Sequence, residues 1–265
     1  MEQNKNETQK IIIEKYSAIA NRDLHTGCCA SSGCCGSSVT VDITEAALRN
    51  GYSKEDLLSA PMEANMGLGC GNPLAIAAIR EGEIVLDLGS GGGFDCFLAE
   101  KMVGKDGYVI GIDMTPEMVL LARENAKKMG CTNVEFRLGE IEHLPVADGL
   151  VDVIISNCVI NLSQSKDQVF AEAYRVLKPG GRLSISDIVA TAELPEEIKK
   201  DPDMLTGCIA GAEDVNKIQE MLQRAGFKNI RLTPKDNSKE ILKSWIPGNN
   251  AEDYVASFLI EAVKE

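Results

Sequence analysis

Nine cysteines, and a run of glycines behind a single acid, are where this 265-residue chain could do chemistry. The acid–glycine run is Asp87-Leu-Gly-Ser-Gly-Gly-Gly93. An apolar, β-branched stretch leads into it and the helical-looking stretch Phe94–Met102 follows. The pattern is a strand, a tight turn and a helix, the opening of an α/β nucleotide-binding unit. Bare glycines let a bulky ligand lie directly on the backbone. The spacing Gly89-x-Gly91-x-Gly93 is not G-x-G-x-x-G, in which a pyrophosphate sits on the helix N-terminus. Asp87 ahead of the glycines suits a cationic ligand better than a phosphate. A second apolar stretch ends in Asp113, where a carboxylate can accept hydrogen bonds from ribose hydroxyls. A third element ends in Leu138-Gly-Glu-Ile-Glu142.

The cysteines are anomalous for the compartment. The first ten residues are polar, without the apolar region of a signal peptide. No apolar stretch approaches the roughly 18 residues that span a bilayer. The expectation is a cytoplasmic protein, where thiols stay reduced, so the cysteines serve chemistry rather than a disulfide scaffold. Cys70 lies in the glycine-rich Asn65-Met-Gly-Leu-Gly-Cys-Gly-Asn-Pro73, ahead of a short helix. Exposed there, its thiol should have a lowered pKa, as a soft-metal ligand or nucleophile requires. Cys158 and Cys208 also sit in loops, flanked by Gly, Asn or Thr. Cys96 lies inside a helix and reads as a small buried hydrophobe, and Cys131 as an incidental loop residue. Cys28, Cys29, Cys34 and Cys35 occupy a small-residue loop, and two adjacent pairs are poor geometry for a closed zinc site. Only two histidines, His25 and His143, are available as bases. An acceptor carrying its own lone pair would need none. The net charge of −13 argues against nucleic-acid substrates.

These residues need a frame. Strands are expected at 84–89, 108–113, 134–139, 151–157, 181–188, 227–234 and 254–263. Helices are expected at 10–20, 44–50, 54–59, 74–79, 94–102, 116–129, 165–177, 214–225 and 238–246. Ser53 and Thr115-Pro116 mark helix starts, and Lys178-Pro-Gly-Gly181 a helix stop. Alternating strands and helices imply an α/β fold, a mainly parallel, Rossmann-like doubly wound sheet with ligands at the strand C-termini. Asp87, Asp113, Glu140 and Cys158 all fall at such ends. Residues 1–81 read as an N-terminal cysteine-bearing extension and 82–265 as the core. An insert at 190–213, after strand five, carries Cys208 and could cap the site together with the extension.

From about Gly82 onward the chain resembles the class I S-adenosylmethionine-dependent methyltransferases, a seven-stranded fold whose last strand is antiparallel. The resemblance implies that Asp87, Gly89, Ser90, Gly91 and Gly93 cradle the methionine moiety, that Asp113 holds the ribose, and that Glu140 and Ile141 flank the adenine. Met114 and Cys158 complete the implied cofactor-binding set. The cysteine contexts narrow it: Asp23-Leu-His-Thr-Gly-Cys-Cys29, Gly67-Leu-Gly-Cys-Gly-Asn-Pro73, Asp87-Leu-Gly-Ser-Gly-Gly-Gly-Phe-Asp-Cys-Phe97, Ser156-Asn-Cys-Val-Ile-Asn-Leu162 and Thr206-Gly-Cys-Ile-Ala-Gly-Ala212 resemble those of arsenite methyltransferases. That resemblance implies As(III) bound at Cys70, Cys158 and Cys208, with one of Cys28 and Cys29 as redox partner of Cys70. It also implies arsenite or its thiol conjugates as substrate, methylated arsenicals as products, and thioredoxin or glutathione as reductant. The pair Cys34 and Cys35 departs from the single pair of the motif, and the further C-terminal domain of long members is not represented. Two other readings stay open: a small-molecule C- or O-methyltransferase with incidental or zinc-bound cysteines, and a non-catalytic thiol-rich metalloid-binding protein.

Overall fold

The computed structural model describes residues 2–21, 43–245 and 250–265. Cys28, Cys29, Cys34 and Cys35 lie outside the described residues. The helix α1 spans Glu2–Ala20, and α2 (Ile43–Asn50), α3 (Lys54–Leu58) and α4 (Leu74–Ala77) follow. Then come β1 (Ile84–Leu88), α5 (Phe94–Val103), β2 (Tyr108–Asp113), α6 (Pro116–Met129), β3 (Val134–Leu138) and β4 (Val151–Asn157). The chain continues through α7 (Lys166–Val176), β5 (Leu177–Ala190), α8 (Glu196–Lys200) and α9 (Pro202–Thr206). It ends with α10 (Val215–Ala225), β6 (Lys228–Pro234), α11 (Ser238–Trp245) and β7 (Val255–Val263).

The seven strands form one sheet in the order β3-β2-β1-β4-β5-β7-β6. Neighbours from β3 to β5 are parallel, and β7 runs antiparallel to both β5 and β6. This is the seven-stranded sheet, with its last strand antiparallel, that the resemblance to class I methyltransferases implies. The strand order reverses between β1 and β4, which opens a crevice at their carboxyl ends. β1 and β4 are buried on both faces because helices cover both sides. One layer packs Phe170, Val176, Leu222 and Phe227 against Leu86 and Ile154. The other packs Phe97, Ala122, Leu74 and Tyr52 against Val85 and Val153, so residues ahead of β1 share the core of the sheet.

Local signals hold with three corrections. Ser53 caps α3 in a full capping box with Asp56. Pro116 opens α6, but the Thr115 hydroxyl bonds Asp113 rather than capping the helix. Lys178-Pro-Gly-Gly181 does end α7, yet it is drawn into β5, which pairs with β4 from Leu177 through a register shift. α1 is longer than its periodicity suggests, because its first turns carry few apolar residues. Tertiary contacts hold it: Gln9 Nε2 donates to Glu140 at 2.8 Å, Ser17 Oγ to Glu117 at 2.7 Å, and Lys15 reaches Asp203 at 3.0 Å. Ile12, 1% exposed, is the one fully buried side chain among the described residues of α1.

Docking of α1 therefore rests on one apolar anchor. Ile12→Ala should remove about 2–5 kcal/mol of burial and packing, felt locally. In hydrogen-exchange mass spectrometry, residues 8–20 are expected to lose protection while β1 and β4 keep theirs. Unchanged protection of α1 would refute the anchor.

Candidate active site

A cavity lies at the carboxyl ends of β1, β2 and β4, under α1, and encloses about 1370 Å³ including its open mouth. Its floor is the turn after β1. Gly91 has φ +50° and nothing within 4 Å of where a Cβ would stand, so backbone faces the cavity directly. Gly89, Ser90 and Gly92 line it as well. Gly93 does not: it begins α5 with φ +94°, and a Cβ there would press on Phe136 and Phe97. That glycine serves packing, and Gly92 takes the place at the cavity that the spacing suggested for Gly93.

Asp113 lines the cavity and holds the glycine turn, its carboxylate accepting N–H groups of Gly91 at 2.9 Å and Thr115 at 2.8 Å. Met114, Glu140 and Ile141 line it too, with α1 closing over them through Gln9. Thr8, Ile12 and Tyr16 of α1 complete that wall. Asp87, Asp95 and Glu142 add further carboxylates, and no lysine, arginine or histidine lines the cavity among the described residues. His143 is exposed and outside it. Burial pushes the Asp87 carboxyl well above the usual carboxylate range, and the neighbouring Asp95 adds to the rise. Burial also raises Asp95 to about 6 against the pull of the Tyr52 hydroxyl and the Asn157 amide. The donor set favours a ligand that brings positive charge and hydroxyls, and repels phosphate.

At the end of the cavity beside β4 stands the sulfur cluster. Cys158 lines the cavity, and Cys70 is joined to it as a disulfide, with Cα atoms 6.0 Å apart. The Cys208 thiol donates to the Cys158 carbonyl at 2.7 Å. The three loop cysteines singled out in the sequence thus meet in one place, packed among Ile188, Leu194, Met204 and Ile241. One expectation is corrected. Cys70 is fully buried, not exposed, because its loop is pinned against β4, β5 and β7: Asn157 Oδ1 accepts its N–H at 3.0 Å and Ser257 Oγ donates to its carbonyl at 2.9 Å. Its disulfide partner among the described residues is Cys158, since the pinned loop lays it directly over the end of β4; Cys28 and Cys29, expected as its redox partners, lie outside them.

Cys158 and Cys208 have φ of +58° and +60°, the left-handed region that non-glycine residues rarely adopt. Each sets its side chain off the course of the chain and toward the cluster. Such backbone costs of order 1 kcal/mol or more and collects at functional sites. Burial raises the Cys208 thiol well above the usual thiol range, with Asp187 adding to the rise. Cys96 is buried as expected, but its thiol also donates to Asp87 at 3.3 Å. Cys131 is partly exposed in the turn after α6. Among the residues that sequence reasoning passed over, Tyr16 lines the cavity and its hydroxyl donates to the Thr206 carbonyl at 3.1 Å, close to Cys208. Tyr52, Asp95 and Asn157 were missed as well. Asp95 and Asn157 each directly precede a cysteine within the quoted motifs, the one available signal.

A family model described as a methyltransferase domain matches residues 79–226. The arsenite methyltransferase of Halobacterium salinarum is 50% identical over 264 residues, covering 97% of this chain and 67% of that protein. The human arsenite methyltransferase is 42% identical over 173 residues, 62% of this chain and 46% of that protein. This chain therefore spans about two thirds of the first relative's length and about half of the second's. Among solved structures, an arsenic(III) S-adenosylmethionine methyltransferase from Chlamydomonas reinhardtii superposes with a TM-score of 0.62 at 32% identity, covering 84% of this chain and 73% of that one.

The carboxylates set the pH response of the cavity. Asp95 faces Tyr52, Asp56 of α3, Asp87 of β1 and Asn157 of β4, none of them cationic. A cationic ligand must displace the proton held below about pH 6, so affinity should fall on acidification by up to about tenfold per pH unit. Titration calorimetry with S-adenosylhomocysteine between pH 5 and 8 tests this. A flat profile would show that no raised carboxylate meets the ligand.

Proposed function

The chain belongs to the arsenite methyltransferase family, and from that premise we propose that it transfers the methyl group of S-adenosylmethionine to As(III) held by its own thiolates, giving methylated arsenicals. One observation carries the reading: Cys70, Cys158 and Cys208 converge at the end of an acidic cavity, floored by bare glycine backbone and free of cations among the described residues. The cofactor fits that donor set, being a cation with ribose hydroxyls and no phosphate. Asp87, Gly89, Ser90 and Gly91 would hold its methionine moiety, Asp113 and Met114 the ribose, and Glu140 and Ile141 the adenine. Bound there, the cofactor supplies an electrophilic methyl group on a sulfonium centre.

The chain's own part is ligand exchange, positioning and exclusion of water. Reduction of the Cys70–Cys158 disulfide by a dithiol gives three neighbouring thiols. Each As–S bond forms as a hydroxide ligand of arsenite leaves with the thiol proton as water, so no separate base is required. That suits a cavity lined by no histidine among the described residues and a Cys208 thiol that burial keeps protonated. The trigonal thiolate site leaves one lone pair on arsenic, and the crevice aligns it with the methyl group, a positional contribution to rate. Methylation oxidises arsenic formally by two electrons. Two thiolate ligands then leave as one disulfide, which returns both electrons, and water fills the open position with release of one proton. The Cys70–Cys158 disulfide is the form such a step leaves. Thioredoxin or glutathione would restore the thiols, in the cytoplasmic setting that the reduced state requires. Among the described residues no helix is long and apolar enough to cross a membrane.

Incubation of the purified protein with S-adenosylmethionine, arsenite and a dithiol, followed by arsenic speciation, should yield methylarsenicals. Cys158→Ser and Cys208→Ser should each abolish them while S-adenosylhomocysteine still binds. Full activity in either variant would overturn the thiolate site.

A further inference from the structure

Of the carboxylates around the crevice, most are already committed. Asp113 ties down the glycine turn. Glu140 is bonded by Gln9, and Glu142 accepts from the Ser163 hydroxyl at 2.5 Å. Asp87, 3% exposed, accepts the Cys96 thiol, and burial holds its own proton well above the usual range. Asp95 differs. It stands in the first turn of α5 and lines the cavity, and its two donors are neutral: the Tyr52 hydroxyl at 2.6 Å and the Asn157 amide at 3.4 Å. Neutral donors stabilise a carboxylate without cancelling its charge, so Asp95 is the charged member of the Asp87–Asp95 pair near neutral pH.

The same two donors lead directly to the sulfur cluster. Asn157 Nδ2 also donates to the Tyr52 hydroxyl at 3.0 Å and to the Gly71 carbonyl at 2.8 Å, while Asn157 Oδ1 accepts the Cys70 N–H at 3.0 Å. One amide therefore clamps the backbone on both sides of Cys70 and touches Asp95. The fit leaves no slack, since a Cβ on Gly69 would come within 2.5–2.9 Å of that amide. Resting on the cofactor reading above, we infer that Asp95 takes the α-ammonium of the cofactor's methionine moiety, and that Tyr52 and Asn157 relay its position to the Cys70 arm. A filled cofactor pocket and an aligned arsenic site are then a single hydrogen-bonded arrangement. Asp95 is a binding residue and Tyr52 a positioning residue.

The test uses two probes, S-adenosylhomocysteine and 5′-methylthioadenosine, which lacks the amino-acid ammonium and carboxylate. In Asp95→Asn, S-adenosylhomocysteine affinity should fall roughly tenfold to a hundredfold, the range for one charge-assisted hydrogen bond. Methylthioadenosine affinity should stay at its wild-type value, which also reports an intact fold, and Asp95→Glu should restore part of the loss. Equal weakening of both probes, or of neither, overturns the assignment. Tyr52→Phe should weaken S-adenosylhomocysteine binding less than Asp95→Asn does, while arsenite binding to the reduced, S-adenosylhomocysteine-loaded protein weakens by about tenfold, the order of one buried hydrogen bond. Unchanged arsenite affinity overturns the relay. A wild-type protein that binds neither nucleoside would instead remove the cofactor reading itself, a result separate from either variant's behaviour.

Discussion

The side-chain amide of Asn157 accepts the Cys70 N–H and donates to the Gly71 carbonyl and the Tyr52 hydroxyl, so the segment ahead of the first core strand is fastened across the end of β4. Cys158 follows Asn157 in the chain, and the disulfide to Cys70 closes the same junction. Tyr52, Cys70 and Gly71 are buried and Asn157 is half-buried, and a buried donor or acceptor left unpaired costs about 1–3 kcal/mol. The loop is therefore specified as tightly as a strand pair would be. Lys235 and Ser257 hold the Cys70 carbonyl from the far side, at 3.4 and 2.9 Å, which explains how a glycine-rich loop becomes a rigid wall of the site.

Electrostatics divides the crevice by function. The end floored by the glycine turn is acidic and without cations among the described residues, which favours a positively charged, hydroxyl-bearing ligand over phosphates. Its sulfur end is apolar, and there desolvation keeps the Cys208 thiol protonated. A protonated thiol is no obstacle to arsenite, because the departing hydroxide carries the proton away. The same thiol would be a poor nucleophile toward carbon, so the environment that disfavours ordinary thiolate chemistry leaves arsenic ligation open.

Backbone strain and side-chain aim belong together here. Cys158 and Cys208 share the left-handed conformation, and each is over-determined by its surroundings. Cys158 N–H bonds the Ser186 carbonyl at 2.8 Å. The Cys208 carbonyl accepts from Asn161 Nδ2 at 3.0 Å, and that amide is held in turn by Asp187. The fold supports an unfavourable local geometry twice to bring two cysteines together at the end of one cavity.

Much of this was legible in the chain. β-branched runs ending in Asp87 and Asp113 announce parallel strands with acids at their carboxyl ends, because a strand buried on both faces must be apolar until it emerges. Bare glycines announce a backbone-lined pocket, and cysteines in Gly/Asn/Thr contexts announce that they are not packing residues. Local pattern could not say which glycine faces the pocket. Gly93 turned out to be excluded by two phenylalanines from α5 and β3, elements brought together only by the sheet. Nor could it show that Cys70 is buried against Cys158, since 88 residues separate them in sequence. Asp95 reads locally as an ordinary acid in the first turn of a helix. Its contacts with Tyr52 and Asn157, from before β1 and from β4, exist only once the sheet has closed. Residue types and periodicity determined the chemistry available. Long-range packing decided which groups share a desolvated space, and hence which of them can act together.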